Sequence, residues 1–178
     1  MVFFRILLIV LLLASIFGAE ASSEDIRQIV VTSQAFRPSD AIPETYTCSG
    51  RDLSPPLAWT GVPADAKSLV LLMSDPDAPS GTFIHWIAFN LAASLTGLPE
   101  DASRTSELLK DNQGINDFRR IGYNGPCPPP GREHHYHFEL FALDRALRFD
   151  TPPPVTGVLS AIKEHIMAHG ELIAVYSR

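Results

Sequence analysis

The sequence predicts a mainly β protein, two packed antiparallel sheets in a β-sandwich with peripheral helices and a C-terminal helix. Three observations carry this. Short apolar runs bounded by turn residues recur along the chain, as at Ser68–Ser74 (SLVLLMS). Thr82–Leu91 (TFIHWIAFNL) is apolar on both alternating sets of positions, which suits a central strand. Helical spacing is convincing only at Val155–His169, where Val155, Val158, Leu159, Ile162 and Ile166 follow the i, i+3, i+4, i+7 rule.

The first residues stand outside the fold. Met1–Arg5 give a short positive end, Ile6–Phe17 an apolar run, and Ala19-Glu20-Ala21 a small-x-small cleavage signal. A signal peptide over residues 1–21 and a mature start at Ser22 are expected. An uncleaved anchor is the alternative, although a bilayer span needs about 20 apolar residues and this run is shorter. No cysteine lies just after the run to carry a lipid. Residues 22–178 suit one compact domain, secreted or periplasmic. The net charge of −6, without clusters of Lys or Arg, disfavours nucleic acid and anionic membranes as partners.

Within the domain, Gln28–Ser33 (QIVVTS) reads as a first strand. Thr45–Thr60 contains Pro55-Pro56 and reads as a loop or edge segment, with Trp59 plugging the border of the core. After the buried strand Ser68–Ser74, the run Asp75-Pro76-Asp77-Ala78-Pro79-Ser80-Gly81 is a turn. The next strand puts Phe83, His85, Ile87 and Phe89 on one face, and Ile84, Trp86 and Ala88 on the other. Ala92–Arg120 is loop-like, with a possible short helix near Thr105–Leu109. Gly170 fits a helix stop, and Glu171–Tyr176 (ELIAVY) closes as a strand. The two cysteines, Cys48 and Cys127, lie in turn-rich stretches of an exported chain. A disulfide between them is expected, two free thiols being the alternative.

Gly122–Asp144 (GYNGPCPPPGREHHYHFELFALD) is the focal stretch, a proline-rich loop running into a strand. Alternation places His134, Tyr136, Phe138 and Leu140 on one face and Glu133, His135, His137 and Glu139 on the other. Asp75, Asp77, His85, His134 and Tyr136 all fall near strand ends beside proline-rich loops. Two imidazoles, a phenol and loop N–H groups would accept a small oxyanion, with nearby carboxylates favouring protonated imidazoles. Taken singly, each histidine also fits a hydrogen-bonded core position, and each aspartate a turn cap.

DPDAPSGTFIHW, GPCPPPGREHHYHFELFALD and SPPLAW at Ser54–Trp59 resemble the phosphatidylethanolamine-binding protein family, in its bacterial Raf-kinase-inhibitor-like branch. The resemblance covers nearly all of residues 22–178. It implies an anion pocket lined by Asp75, Asp77, His85, His134 and Tyr136, with Pro126 and its neighbours as rim. It also implies a phosphate-bearing ligand such as a phospholipid head group, no cofactor, and binding rather than catalysis. A protein partner is possible on this resemblance, but kinase regulation belongs to cytosolic relatives and is not expected of an exported chain. Two rivals remain. An extracytoplasmic inhibitor of a protease or other enzyme would use the PPPG loop as its contact surface. A metal enzyme would use His135 and His137 with Glu133 and Glu139. A serine hydrolase is disfavoured, since no G-x-S-x-G elbow is present.

Overall fold

The computed structural model describes residues 27–178, so the expected signal peptide lies outside the described residues. The strands are β1 (Arg27–Gln28), β2 (Val30–Thr32), β3 (Leu57–Thr60), β4 (Ser68–Asp75), β5 (Phe83–Ala92), β6 (Gly97–Leu98), β7 (His134–Leu143) and β8 (Ile166–Tyr176). Two helices, α1 (Ala102–Thr105) and α2 (Val155–Ile162), join them. The larger sheet runs β1-β8-β7-β4-β5 and the smaller β2-β3-β6. Every pairing is antiparallel except β1 with β8.

β4 is buried along its whole length because apolar layers cover both faces of the larger sheet. On one face Leu69, Leu71, Met73, Trp86, Tyr136, Phe138 and Leu140 pack against Val31, Leu57 and Trp59 of the smaller sheet. On the other, Val70, Leu72, Ile84, Ile87 and Phe89 meet Val158 and Ile162 of α2. Among the described residues no helix is long and apolar enough to cross a membrane.

Several expectations require correction. The run at Gln28–Ser33 is divided at Ile29: β1 joins the larger sheet and β2 the smaller. Leu57–Thr60 is the middle strand of the smaller sheet, since Pro55-Pro56 precedes it and leaves its ladder intact. Trp59 is buried there and donates Nε1–H to the Leu95 carbonyl at 2.6 Å. The short helix sits at Ala102–Thr105, ahead of Thr105–Leu109.

The C-terminal helix ends at Ile162, well before His169. Ile166–His169 instead begins β8, whose Ala168, Gly170, Leu172 and Ala174 alternate inward and pair with β7. Helical spacing and strand alternation overlap in this stretch, and pairing with a ten-residue neighbour decides the outcome. Gly170 is therefore no helix stop. A Cβ there would strike the Ile29 carbonyl oxygen where the chain crosses between sheets.

The predicted faces of β5 also change. Met73 pairs with Trp86 and Ser74 with Ile84, leaving His85 as the extra residue of a β-bulge. Ile87 and Phe89 turn toward α2, while His85 packs edge-on against Tyr136 on the opposite side, ring centroids 5.3 Å apart.

Candidate functional site: a histidine pocket behind a proline rim

The β4–β5 turn, the bulge in β5, the start of β7 and the loop before it enclose a cavity of about 320 Å³. Its walls include Asp75, His85 and His134, with Phe83, Phe118, Pro128 and Pro129 forming an apolar mouth. Cys127 completes the rim. It is bonded to Cys48, 79 residues away, so the expected disulfide is present.

The two aspartates of the DPD turn face opposite ways. Asp75 is buried; its Oδ1 accepts the Asp77 N–H at 2.9 Å, and its Oδ2 lies 2.8 Å from His134 Nδ1. Asp77 turns outward, where its Oδ2 accepts the His135 N–H at 2.9 Å and lies 2.8 Å from His135 Nδ1. Those bonds, led by the backbone one, hold the Asp77 pKa below the ordinary carboxylate value. Asp75 thus orients a pocket imidazole, whereas Asp77 clamps the turn to β7 from outside the cavity lining.

His85 is held by the loop of the focal stretch, through Asn124, a residue that the sequence did not single out. Its Nδ1 lies 2.7 Å from the Asn124 carbonyl, and the Asn124 N–H returns a bond to the His85 carbonyl at 3.1 Å. A carbonyl only accepts, so the ring proton sits on Nδ1 and leaves Nε2 as the open nitrogen. Asp52 fixes the loop by accepting the Gly125 N–H at 2.6 Å and Asn124 Nδ2 at 3.3 Å. Asn116 Nδ2 sits among the carbonyls of His85 and Gly122 and Asn124 Oδ1. Gly125 cannot carry a side chain, because a Cβ would meet the Tyr46 carbonyl oxygen.

Burial dominates at His85 and lowers its pKa, outweighing the Asn124 carbonyl and the Asp75 carboxylate, which raise it. This corrects the expectation that neighbouring carboxylates keep that ring protonated. Tyr136 lies behind the imidazoles, fully buried, and among the described residues its hydroxyl has no hydrogen-bond partner. Burial first, then the nearby Asp75 carboxylate, raises the pKa of its phenol and keeps it neutral. Pro126 is buried behind the rim, accepting the Cys48 N–H at 3.1 Å through its carbonyl.

The structure therefore brings Asp75, His85 and His134 to one cavity, places Tyr136 against them, and sets Asp77 and Pro126 outside its lining. Reading the sequence missed Phe118, Asn116, Asn124 and Asp52. Asn124 stood in the focal stretch, but its role depends on a carbonyl, which leaves no side-chain signal. His135 and His137, the alternative metal pair, each engage a separate carboxylate, Asp77 and Glu171. Among the described residues no three His, Cys, Asp or Glu groups are arranged to hold a metal ion.

Comparison with known proteins agrees with the resemblance. A family model described as phosphatidylethanolamine-binding protein matches residues 32–177. A UPF0098 protein of Archaeoglobus fulgidus is 42% identical over 171 residues, covering 95% of this chain but 58% of the relative. The chain thus spans less than two thirds of that relative's length. A UPF0098 protein of Methanothermobacter thermautotrophicus is 44% identical, covering 82% of this chain and 97% of the relative. Two crystal structures share the fold. A phosphatidylethanolamine-binding protein homologue from Chlamydia trachomatis has a TM-score of 0.76 at 39% identity, covering 86% of this chain and 98% of that one. Escherichia coli YbcL, described as a member of the mammalian family, has a TM-score of 0.77 at 32% identity, covering 84% and 98%. With the family model spanning the described strands from β3 to β8, this chain belongs to the phosphatidylethanolamine-binding protein family.

Proposed function

We propose that this protein binds a small phosphate-bearing anion, such as a phospholipid head group, in a secreted or periplasmic setting, and works by binding rather than catalysis. The observation that carries the reading is the pair of buried imidazoles, His85 and His134, each anchored through Nδ1 and lining one cavity. Anchoring commits one nitrogen of each ring and leaves Nε2 for a ligand. A neutral Nε2 accepts from a P–OH group; once the ring is protonated, it donates to a phosphate oxygen. Both descriptions contain the same number of protons, so binding is proton-linked and weakens as pH rises. Because burial lowers the pKa of unliganded His85, binding to the dianion draws a proton from solvent.

Export is supported by the pattern of residues 1–21 and by a disulfide of the kind that persists outside the cytosol. The exposed Pro129 and Phe118 at the mouth also suit contact with a protein whose activity ligand binding would regulate. The deciding experiment titrates inorganic phosphate into Ser22–Arg178 while following imidazole NMR signals, beside His85→Ala and His134→Ala. Saturable shifts at both rings, lost in the variants and weakening from about pH 5 to about pH 8, are expected. Silent imidazoles, or an affinity flat over that range, would overturn the reading.

A further inference from the structure

We propose that the Cys48–Cys127 disulfide is a redox control on this pocket: reversible reduction by a dithiol loosens the rim and weakens ligand binding. The inference rests on the phosphate-binding reading, and concerns how that site is regulated.

The rim depends on this covalent tie to an unusual degree. Pro126-Cys127-Pro128-Pro129-Pro130 has four prolines in five residues, so only Cys127 offers a backbone N–H. Past Gly125, whose N–H bonds to Asp52, the other anchors among the described residues are few. The Cys48 N–H bonds to the Pro126 carbonyl, the Gly131 N–H donates to the Arg178 carbonyl at 3.2 Å, and Arg132 donates to the Asp77 carbonyl. Cys127 and its two following prolines line the cavity directly. Three residues earlier, the Asn124 carbonyl holds His85. Freeing the rim therefore acts at the mouth and on the backbone that aims an imidazole.

The bond is also placed to be cut. Cys48 is exposed, giving an attacking thiolate access to its sulfur. The Arg178 guanidinium lies 3.6 Å from Cys127 Sγ and 4.0 Å from Cys48 Sγ. A cation there stabilises the thiolate that departs. One thiolate of the dithiol attacks Cys48 Sγ and forms a mixed disulfide. The Cys48–Cys127 bond breaks, and Cys127 leaves with the electron pair and then takes a proton. The second thiol of the reagent attacks the mixed disulfide and releases Cys48. The protein gains two electrons and two protons, and the dithiol becomes a cyclic disulfide.

The test compares oxidised protein, protein reduced with dithiothreitol, and a Cys48→Ser/Cys127→Ser variant, each checked by near-ultraviolet circular dichroism. Reduced protein is expected to stay folded and to bind phosphate at least about fivefold more weakly, with recovery on reoxidation and the same weakening in the variant. Arg178→Ala, which keeps the carbonyl bond to Gly131, is expected to slow reduction severalfold. Unchanged affinity on reduction, or global unfolding, would overturn the proposal, the latter making the bond a general staple. If even oxidised protein fails to bind phosphate, the binding reading fails on its own. Amide hydrogen exchange then judges the redox inference: faster exchange confined to residues 125–134 and the His85 strand supports it, and no change or a global change rejects it.

Discussion

Replacing Asp75 by asparagine removes a buried charge while nearly preserving the side chain's shape. The carboxylate receives two hydrogen bonds, from the Asp77 N–H at 2.9 Å and from His134 Nδ1 at 2.8 Å. The side chains of Asp75 and His134 are both 4% exposed, so water compensates little. Hydrogen bonds to a charged acceptor contribute about 1.5–3 kcal/mol and neutral ones about 0.5–1.5. Converting two of the first kind into the second costs about 2 kcal/mol. For a domain of this size that lowers Tm by about 4–8 °C. A second effect follows from the amide having a single oxygen. If that oxygen stays on the Asp77 N–H, the NH2 group faces His134, whose Nδ1 must then accept. The ring proton moves to Nε2, the nitrogen left for ligand. Calorimetry reads the first effect and the 15N shifts of the His134 ring read the second. A Tm within about 1 °C of wild type, with the tautomer unchanged, would refute this account of the buried pair.

Four further outcomes are expected. Tyr136→Phe removes a buried hydroxyl without a partner among the described residues, so the free protein should keep or gain stability while phosphate affinity falls; equal affinity by titration would remove Tyr136 from the site. His85 has a lowered pKa in the fold, so its contribution to stability is present above the unfolded value, about 6.5, and is lost as pH falls toward the folded value. His85→Gln should accordingly flatten the decline in urea midpoint between about pH 7 and about pH 5, and parallel profiles would count against the assignment. Gly125→Ala should cost about 2 kcal/mol or more and shift the His85 resonances, because the loop must retreat from Tyr46; a wild-type spectrum would show that the close approach is relieved at no expense to His85. Glu139, opposite Glu171 on β8, has its pKa raised chiefly by burial. Glu139→Gln should therefore raise Tm at neutral pH, with the gain vanishing on acidification, and a fall in Tm would show that its contact with His169 prevails.

The alternating pattern of Gly122–Asp144 was legible because one face of β7 is buried and the other partly exposed, so chemistry and geometry repeat together every two residues. His134 and Tyr136 went inward and His135 outward as that alternation requires. The cysteine pair was legible for a different reason, since the leader-like pattern of residues 1–21 predicts a setting where two thiols have few other fates. Where two periodicities overlapped, reading along the chain failed, as at Ile166–His169. It failed again where one run serves two sheets, as at Ile29. The bulge at His85 has no local signature, because it arises from a mismatch in register between β4 and β5.

By itself the sequence determined the strand-rich character of the domain, the inward face of β7, the family resemblance and the residue types available for an anion. These depend on local alternation, turn chemistry and composition, which each segment carries within itself. Only the tertiary structure decided that Asp75 faces the cavity and Asp77 turns away, that His85 leaves the face of Ile87, and that Asn124 sets its free nitrogen. It also decided that burial prevails over neighbouring charge at His85. Each of these depends on distances between segments far apart in the chain, and on the water excluded when they pack.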